Sequence, residues 1–138
     1  MNHIQLEIVT PEKIAYSEEV DMVVVPSADG MLGILPHHIP LFSALVEGEL
    51  KVKKGAEEYF LAIGGGFIEV TKEKVIILVT RAVNADELNE AEILRAKKEA
   101  EEALHRKGMQ EDRVKAYASL RRSILDLKII SRKRRRTH

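Results

Sequence analysis

All four prolines of this 138-residue chain lie at or before Pro40, and seven of its eight glycines lie at or before Gly66. Residues that break a backbone into turns are therefore crowded into the front, and the back is almost free of them. That partition predicts many short strands followed by long helices, and it argues against the regular strand-helix alternation of a parallel α/β sheet.

The front carries apolar, β-branched runs separated by turn signals. Strands are expected at residues 4–9, 13–16, 21–26, 32–35, 41–46, 49–53, 58–63, 67–71 and 75–80. In the first, Ile4, Leu6 and Ile8 alternate with His3, Gln5 and Glu7, the pattern of a strand with one buried and one wet face. Short strands at this spacing favour an antiparallel sandwich or barrel.

After Thr80 the apolar period lengthens. Asn84 and Glu87 have the spacing of a capping box, and Ile93, Ala96, Ala100, Ala103 and Leu104 then mark one helical face. His105, Arg106 and Lys107 suit the carbonyl end of that helix, with Gly108 as a left-handed cap. A second helix is expected from Glu111 and Asp112, with Tyr117, Leu120, Ile124 and Leu127 as its seam. Two helices joined by so short a link predict an antiparallel hairpin. Its alanine-rich seam buries little area, so the hairpin is expected to open or re-dock at modest cost.

Three segments follow: a β-domain over residues 1–84, a helix hairpin over 85–130, and a basic, flexible tail over 131–138. Their charges differ. Up to Asn84 there are seven basic and twelve acidic residues, and beyond it fifteen and ten, so a net charge of zero conceals a front of −5 and a back of +5. The run from Arg132 to Arg136 supplies that excess and could meet nucleic acid or an anionic surface; the absence of interleaved aromatics argues against base stacking.

Cysteine is absent, which excludes disulfides, thiolate catalysis and Cys-ligated metals. Neither a secretory signal nor a membrane helix is expected. The adjacent His37 and His38 invite a metal reading. Neighbours in an extended segment point to opposite sides, however, and no spaced partner completes a ligand shell, so the expectation is a proline-braced turn with one imidazole inward and one exposed. The glycines at 64–66 precede a strand rather than a helix, so a close backbone approach is expected there and not a phosphate loop. No catalytic constellation appears.

Three stretches carry a family resemblance. "GMLGILPHHIPL" (residues 30–41) resembles the Gly-x-Leu-Gly-Ile-Leu-Pro-Gly-His-x-Pro-Leu signature of the epsilon subunit of F-type ATP synthases. "GGFIEV" (65–70) is similar to that family's Gly-Gly-Phe-x-Glu-Val, and "IVTPEKIAYSEEVDMVVVPSADG" (8–30) also fits it. The resemblance implies a sandwich of two antiparallel five-stranded sheets followed by the helix hairpin. It further implies a non-catalytic rotor subunit of the central stalk, coupling transmembrane proton flow to ATP synthesis and inhibiting ATP hydrolysis through its hairpin.

Specific residues follow from that resemblance. Gly30, Met31, Leu32, Gly33, His38 and Pro40 would contact the gamma subunit and the c ring. Arg113, Lys115, Arg121, Arg122 and Lys128 would form the surface that meets beta and alpha subunits in an extended, inhibitory state. Some members bind ATP through Ile/Leu-Asp-x-x-Arg-Ala on the first helix, which here reads Ala91-Glu92-Ile93-Leu94-Arg95-Ala96; Glu92, Arg95 and Ala96 would hold a regulatory ATP. As a bland alternative, Glu92 and Arg95 are an ordinary helix-surface pair. No cofactor is required, no metal site and no nucleic-acid partner are implied, and the expected location is the cytoplasmic face of a bacterial plasma membrane, peripheral through the complex. Two positions depart from the pattern: Met31 stands where an acidic residue is common, and His37 where the signature has glycine. The competing class is a stand-alone sandwich with a basic helical arm for nucleic acid or anionic surfaces, whose binding would fall steeply with salt.

Overall fold

A computed structural model describes residues 3–106 and 108–136. The chain divides into two compact units, Met1–Asn84 and Ala85–His138.

The first unit holds ten strands: β1 (Ile4–Val9), β2 (Ile14–Val20), β3 (Met22–Ser27), β4 (Gly30–Ile34), β5 (Leu41–Leu45), β6 (Gly48–Lys54), β7 (Glu57–Ile63), β8 (Gly66–Val70), β9 (Lys74–Val79) and β10 (Ala82–Val83). They form two sets of five. β4, β3, β6, β7 and β10 are neighbours in one, β5, β8, β9, β1 and β2 in the other, and the pair Ser27 and Leu45 links the sets. The period-2 reading is realised: Ile4, Leu6 and Ile8 on β1, and Val75, Ile77 and Val79 on β9, are buried in one apolar core with Val23, Val25, Leu50, Ile63 and Ile68. At ~25 cal/mol per Å², each such side chain stabilises the fold by about 1.5–3 kcal/mol.

One pairing departs from the expected antiparallel order. β1 lies antiparallel to β2 but parallel to β9, with Leu6 opposite Val75. The connection between parallel neighbours runs through seven intervening strands, a non-local choice that periodicity does not encode. β10, unforeseen, is too short to show a period.

Turn chemistry closes the sheets locally. Thr71 uses its Oγ1 to accept from the amides of Glu73 (3.3 Å) and Lys74 (3.2 Å), and Thr10 accepts likewise from Lys13 at 3.3 Å. At Gly66 a Cβ would collide with the Leu78 carbonyl and stand 2.8 Å from the Val79 Cα, so the glycine run serves a close strand-strand approach.

The second unit opens with a 3₁₀ turn (Ala85–Glu87), then α1 (Glu90–His105) and α2 (Gln110–Arg136). Four expectations change here. The cap of α1 is Asn89, whose Oδ1 accepts from Glu92 N at 3.1 Å, and not Asn84. The helix ends on Arg106 in extended backbone (φ −87°, ψ 150°), two residues before Gly108. Residues 131–136, read as tail, continue α2, and Lys133 is ion-paired with Asp86 of the 3₁₀ turn. Basic side chains at a helix C-terminus are also favoured by the helix dipole.

The fourth change concerns the seam of α2. Ala116, Ser123, Asp126 and Ile129 are buried there, with Leu120 and Leu127 half-buried, whereas Tyr117 and Ile124 are exposed at 53 % and 52 %. On α1 the expected face holds, with Ala100 buried and Ile93, Ala96, Ala103 and Leu104 half-buried. No helix among the described residues is long and apolar enough to cross a membrane.

Candidate functional site

Residues 30–46 carry no Asp, Glu, Lys or Arg in a chain that is 32 % charged. This segment forms β4, a loop and β5, and its outward side chains are large and apolar. Met31 is 63 % exposed, Ile39 74 % and Phe42 66 %, and Leu35 and Val46 are exposed too. Phe42 stacks on Phe67 of β8 with ring centroids 5.4 Å apart, and Phe67 stands opposite the exposed Leu78 of β9. A row of apolar side chains thus crosses β5, β8 and β9. Contiguous exposed apolar surface of this kind marks a docking site.

Six residues singled out from the sequence lie in the uncharged segment 30–46. Gly30, Met31, Leu32 and Gly33 form most of β4, where Met31 and Gly33 face outward and Leu32 packs toward the core. His38 and Pro40 lie in the loop before β5. His38 is half-buried, with Nδ1 2.7 Å from the Ile39 carbonyl, and His37 is exposed, the division expected from adjacent positions. His37 adopts φ 66°, the left-handed conformation that the glycine of the resembled signature accommodates without strain. No cluster of three potential metal ligands occurs among the described residues.

Sequence reasoning missed Phe42, Phe67 and Leu78. For Phe42 a signal was available, since it lies in the seventeen uncharged residues from 30 to 46; Phe67 and Leu78 lie outside that segment and join Phe42 only through sheet register.

Asp21 accepts the Gly55 amide at 2.7 Å and meets His3 Nδ1 at 2.8 Å. The Gly55 bond, helped by His3, holds its carboxyl below the ordinary range. The hydrogen bond and charge of Lys54, 3.1 Å away, do the same for Glu18 and raise the Lys54 ammonium in return.

In the hairpin, Arg113 donates from Nη1 to the Leu104 carbonyl at 3.1 Å, satisfying an orphan carbonyl at the end of α1. It is thereby turned inward, unlike Lys115, Arg121, Arg122 and Lys128, which are exposed. Arg121 and Lys128 share a stripe with Val114, Tyr117 and Ile124, at alternating three- and four-residue spacings. Glu92 and Arg95 are exposed on α1, and Ala96 is half-buried.

A small sandwich whose one uncharged segment turns its apolar side chains outward belongs to the class of proteins built to be covered by a partner. Residues 3–85 match the β-sandwich domain of the ATP synthase delta/epsilon chain family. The chain is 44 % identical over 138 residues to the ATP synthase epsilon chain of Dehalococcoides mccartyi strain BAV1, covering 98 % of this chain and 97 % of that one. It is 44 % identical to that of Herpetosiphon aurantiacus over 133 residues (96 % and 98 % covered) and 43 % identical to that of Desulforamulus reducens over 124 (90 % and 94 %). The chain belongs to the ATP synthase epsilon chain family. Its fold is shared with a chain of the Euglena gracilis mitochondrial ATP synthase OSCP/F1/c-ring structure (TM-score 0.68, 22 % identity, 99 % of this chain and 82 % of that one covered). A second likeness is to a chain of the Tetrahymena thermophila mitochondrial central stalk and c-ring structure (TM-score 0.59, 16 % identity, 92 % and 96 % covered).

Proposed function

We propose that this chain is a non-catalytic central-stalk subunit of an F-type ATP synthase, docked through its apolar face to the gamma subunit and the c ring at the cytoplasmic side of a bacterial membrane. It couples proton flow to ATP synthesis at sites carried by other subunits. The observation that carries the reading is the exposed, uncharged segment 30–46 with its Phe42 and Phe67 stack, a surface fitted to permanent cover and unsuited to a free monomer. Met31 makes the contact near the ring apolar where a carboxylate would make it electrostatic. The complex with gamma is therefore expected to survive high salt; dissociation on raising salt from about 0.05 to about 0.5 M would overturn the reading and favour the basic-arm alternative.

Regulation falls to the hairpin. Its exposed stripe of Val114, Tyr117, Arg121, Ile124 and Lys128, flanked by Lys115 and Arg122, suits an acidic, partly apolar groove such as beta and alpha subunits would supply on extension. Arg113 leaves the α1 carbonyl when α2 departs. Truncation after Gly108 is expected to raise ATP hydrolysis by the assembled complex without loss of assembly, and unchanged hydrolysis would refute an inhibitory role. Glu92, Arg95 and Ala96 are the residues proposed to meet a regulatory ATP; amide shifts along α1 at millimolar ATP test this, and their absence ends it.

A further inference from the structure

The run from Arg132 to Arg136 is the most basic stretch of the chain, and its backbone continues α2. Two contacts fix where that helix lies along α1. At the link between them, Arg113 Nη1 donates to the Leu104 carbonyl at 3.1 Å; at the open end, Lys133 is ion-paired with Asp86 of the 3₁₀ turn. Lys133 stands twenty residues after Arg113, and Asp86 eighteen before Leu104, so both contacts belong to one antiparallel register. In that register a helix ending at residue 130 would stop about level with Asn89, the cap of α1. Residues 131–136 are what carries α2 past the start of α1 and onto the turn before it.

The two ends that meet there are opposite in sign. The root of α1 carries Asp86, Glu87 and Glu90, and the last turns of α2 carry Lys128, Arg132 and Lys133. Cations at a helix C-terminus are favoured by its dipole as well. Asp86 and Lys133 are each more than half exposed, so their attraction is modest and is weakened by salt. A modest contact counts here, because the buried side chains between the two ends include Ala100, Ala116 and Ser123, whose small area does little to oppose opening.

We propose that the basic end of α2 is a clasp: Lys133, held by Asp86, keeps the open end of the hairpin shut and so opposes the extended, inhibitory state. Asp86 belongs to the root and Lys133 to the helix that leaves, so extension must separate them. The inference rests on the inhibitory reading of the hairpin and adds what restrains it. It also gives the basic run a partner within its own chain.

The test is amide hydrogen exchange of the full-length chain along α1, from Ile93 to Leu104, in wild type, Asp86→Asn, Lys133→Gln and the double variant. Each single substitution should speed exchange by about two- to fivefold, and the double variant should go no further than either. Wild type should approach the variants at about 0.5 M salt. A chain ending at Ile130 should exchange at least as fast, and the point variants decide the matter if that chain fails to fold. In the assembled complex, Asp86→Asn should lower ATP hydrolysis by at least about twofold. Asp86 lies outside α2, so this substitution removes nothing that α2 could present to another subunit. Exchange unchanged in the single variants, or effects that add in the double, overturns the clasp and leaves the inhibitory reading intact. Faster, non-additive exchange with unchanged hydrolysis supports the clasp and refutes that reading. Raised hydrolysis with Asp86→Asn would make the closed hairpin the inhibitory form and overturn the proposal.

Discussion

The β-sandwich and the helix hairpin bury their surfaces in different ways. In the sandwich, Leu6, Ile8, Ile34, Leu50, Ile63, Ile68 and Ile77 are wholly shielded from water, and they come from both sets of strands. Among the described residues of the hairpin, Ile129 is the one large side chain so shielded; the other buried positions are Ala100, Ala116, Ser123 and Asp126, and Ile93, Leu104, Leu120 and Leu127 are only half-buried. One unit is held by interlocked, fully buried aliphatic side chains, the other by alanines, a few polar groups and half-buried aliphatic side chains. The difference fits the division proposed above, a sandwich that holds a docking face in fixed register and a hairpin that exchanges one set of neighbours for another.

Four changes test that contrast. The largest effect is expected from Ile77→Ala, which opens a cavity among side chains unable to collapse into it. Global stability in urea should fall by about 3–4 kcal/mol. A loss below about 1 kcal/mol would mean that the sandwich core is as forgiving as the hairpin. Ile129→Ala should cost the hairpin about 2 kcal/mol and speed exchange of α1 amides by about 30-fold, with the amides of β1 and β9 unmoved. Equal acceleration in the strands would break the distinction between the units.

A smaller gain is expected from His37→Gly. Relief of left-handed strain, about 1–2 kcal/mol, is partly offset by the greater freedom of unfolded glycine, leaving a net stabilisation of about 0.5 kcal/mol in thermal melts. The smallest change is Asp21→Asn. The Asp21 carboxyl is held below its ordinary range in the folded chain, so its contribution is present above about pH 4 and is lost as pH falls through the depressed folded value. The variant should show a shallower loss of sandwich stability below about pH 4, and an unchanged acid limb would show that the Gly55 and His3 bonds carry no weight.

Periodicity made most of the strands legible, because each burial decision is local: Ile4, Leu6 and Ile8 could only share a face. Pairing was less legible, since nothing in β1 names β9 as its parallel neighbour. The start of α1 was misplaced for a specific reason. Asn84-x-x-Glu87 and Asn89-x-x-Glu92 are the same capping pattern, and what separates them is the 3₁₀ turn that intervenes. On α2 two stripes compete. Ala116, Ser123 and Ile129 face inward with Leu120 and Leu127 half-buried, and Tyr117 and Ile124 face out. The exposed apolar side chains were half legible: the uncharged run from Gly30 to Val46 contains Met31, Ile39 and Phe42, while Phe67 and Leu78 join Phe42 only through sheet register.

The parallel pairing of β1 with β9 has a consequence for how the molecule is made. Ile8 meets Ile77 about 70 positions further along, so this closure carries a large loop entropy and belongs among the slower events of folding. On the ribosome, at roughly 5–20 residues per second, β1 waits several seconds with one side covered only by β2. Until the ninth strand emerges, β1 has one paired edge and one open edge.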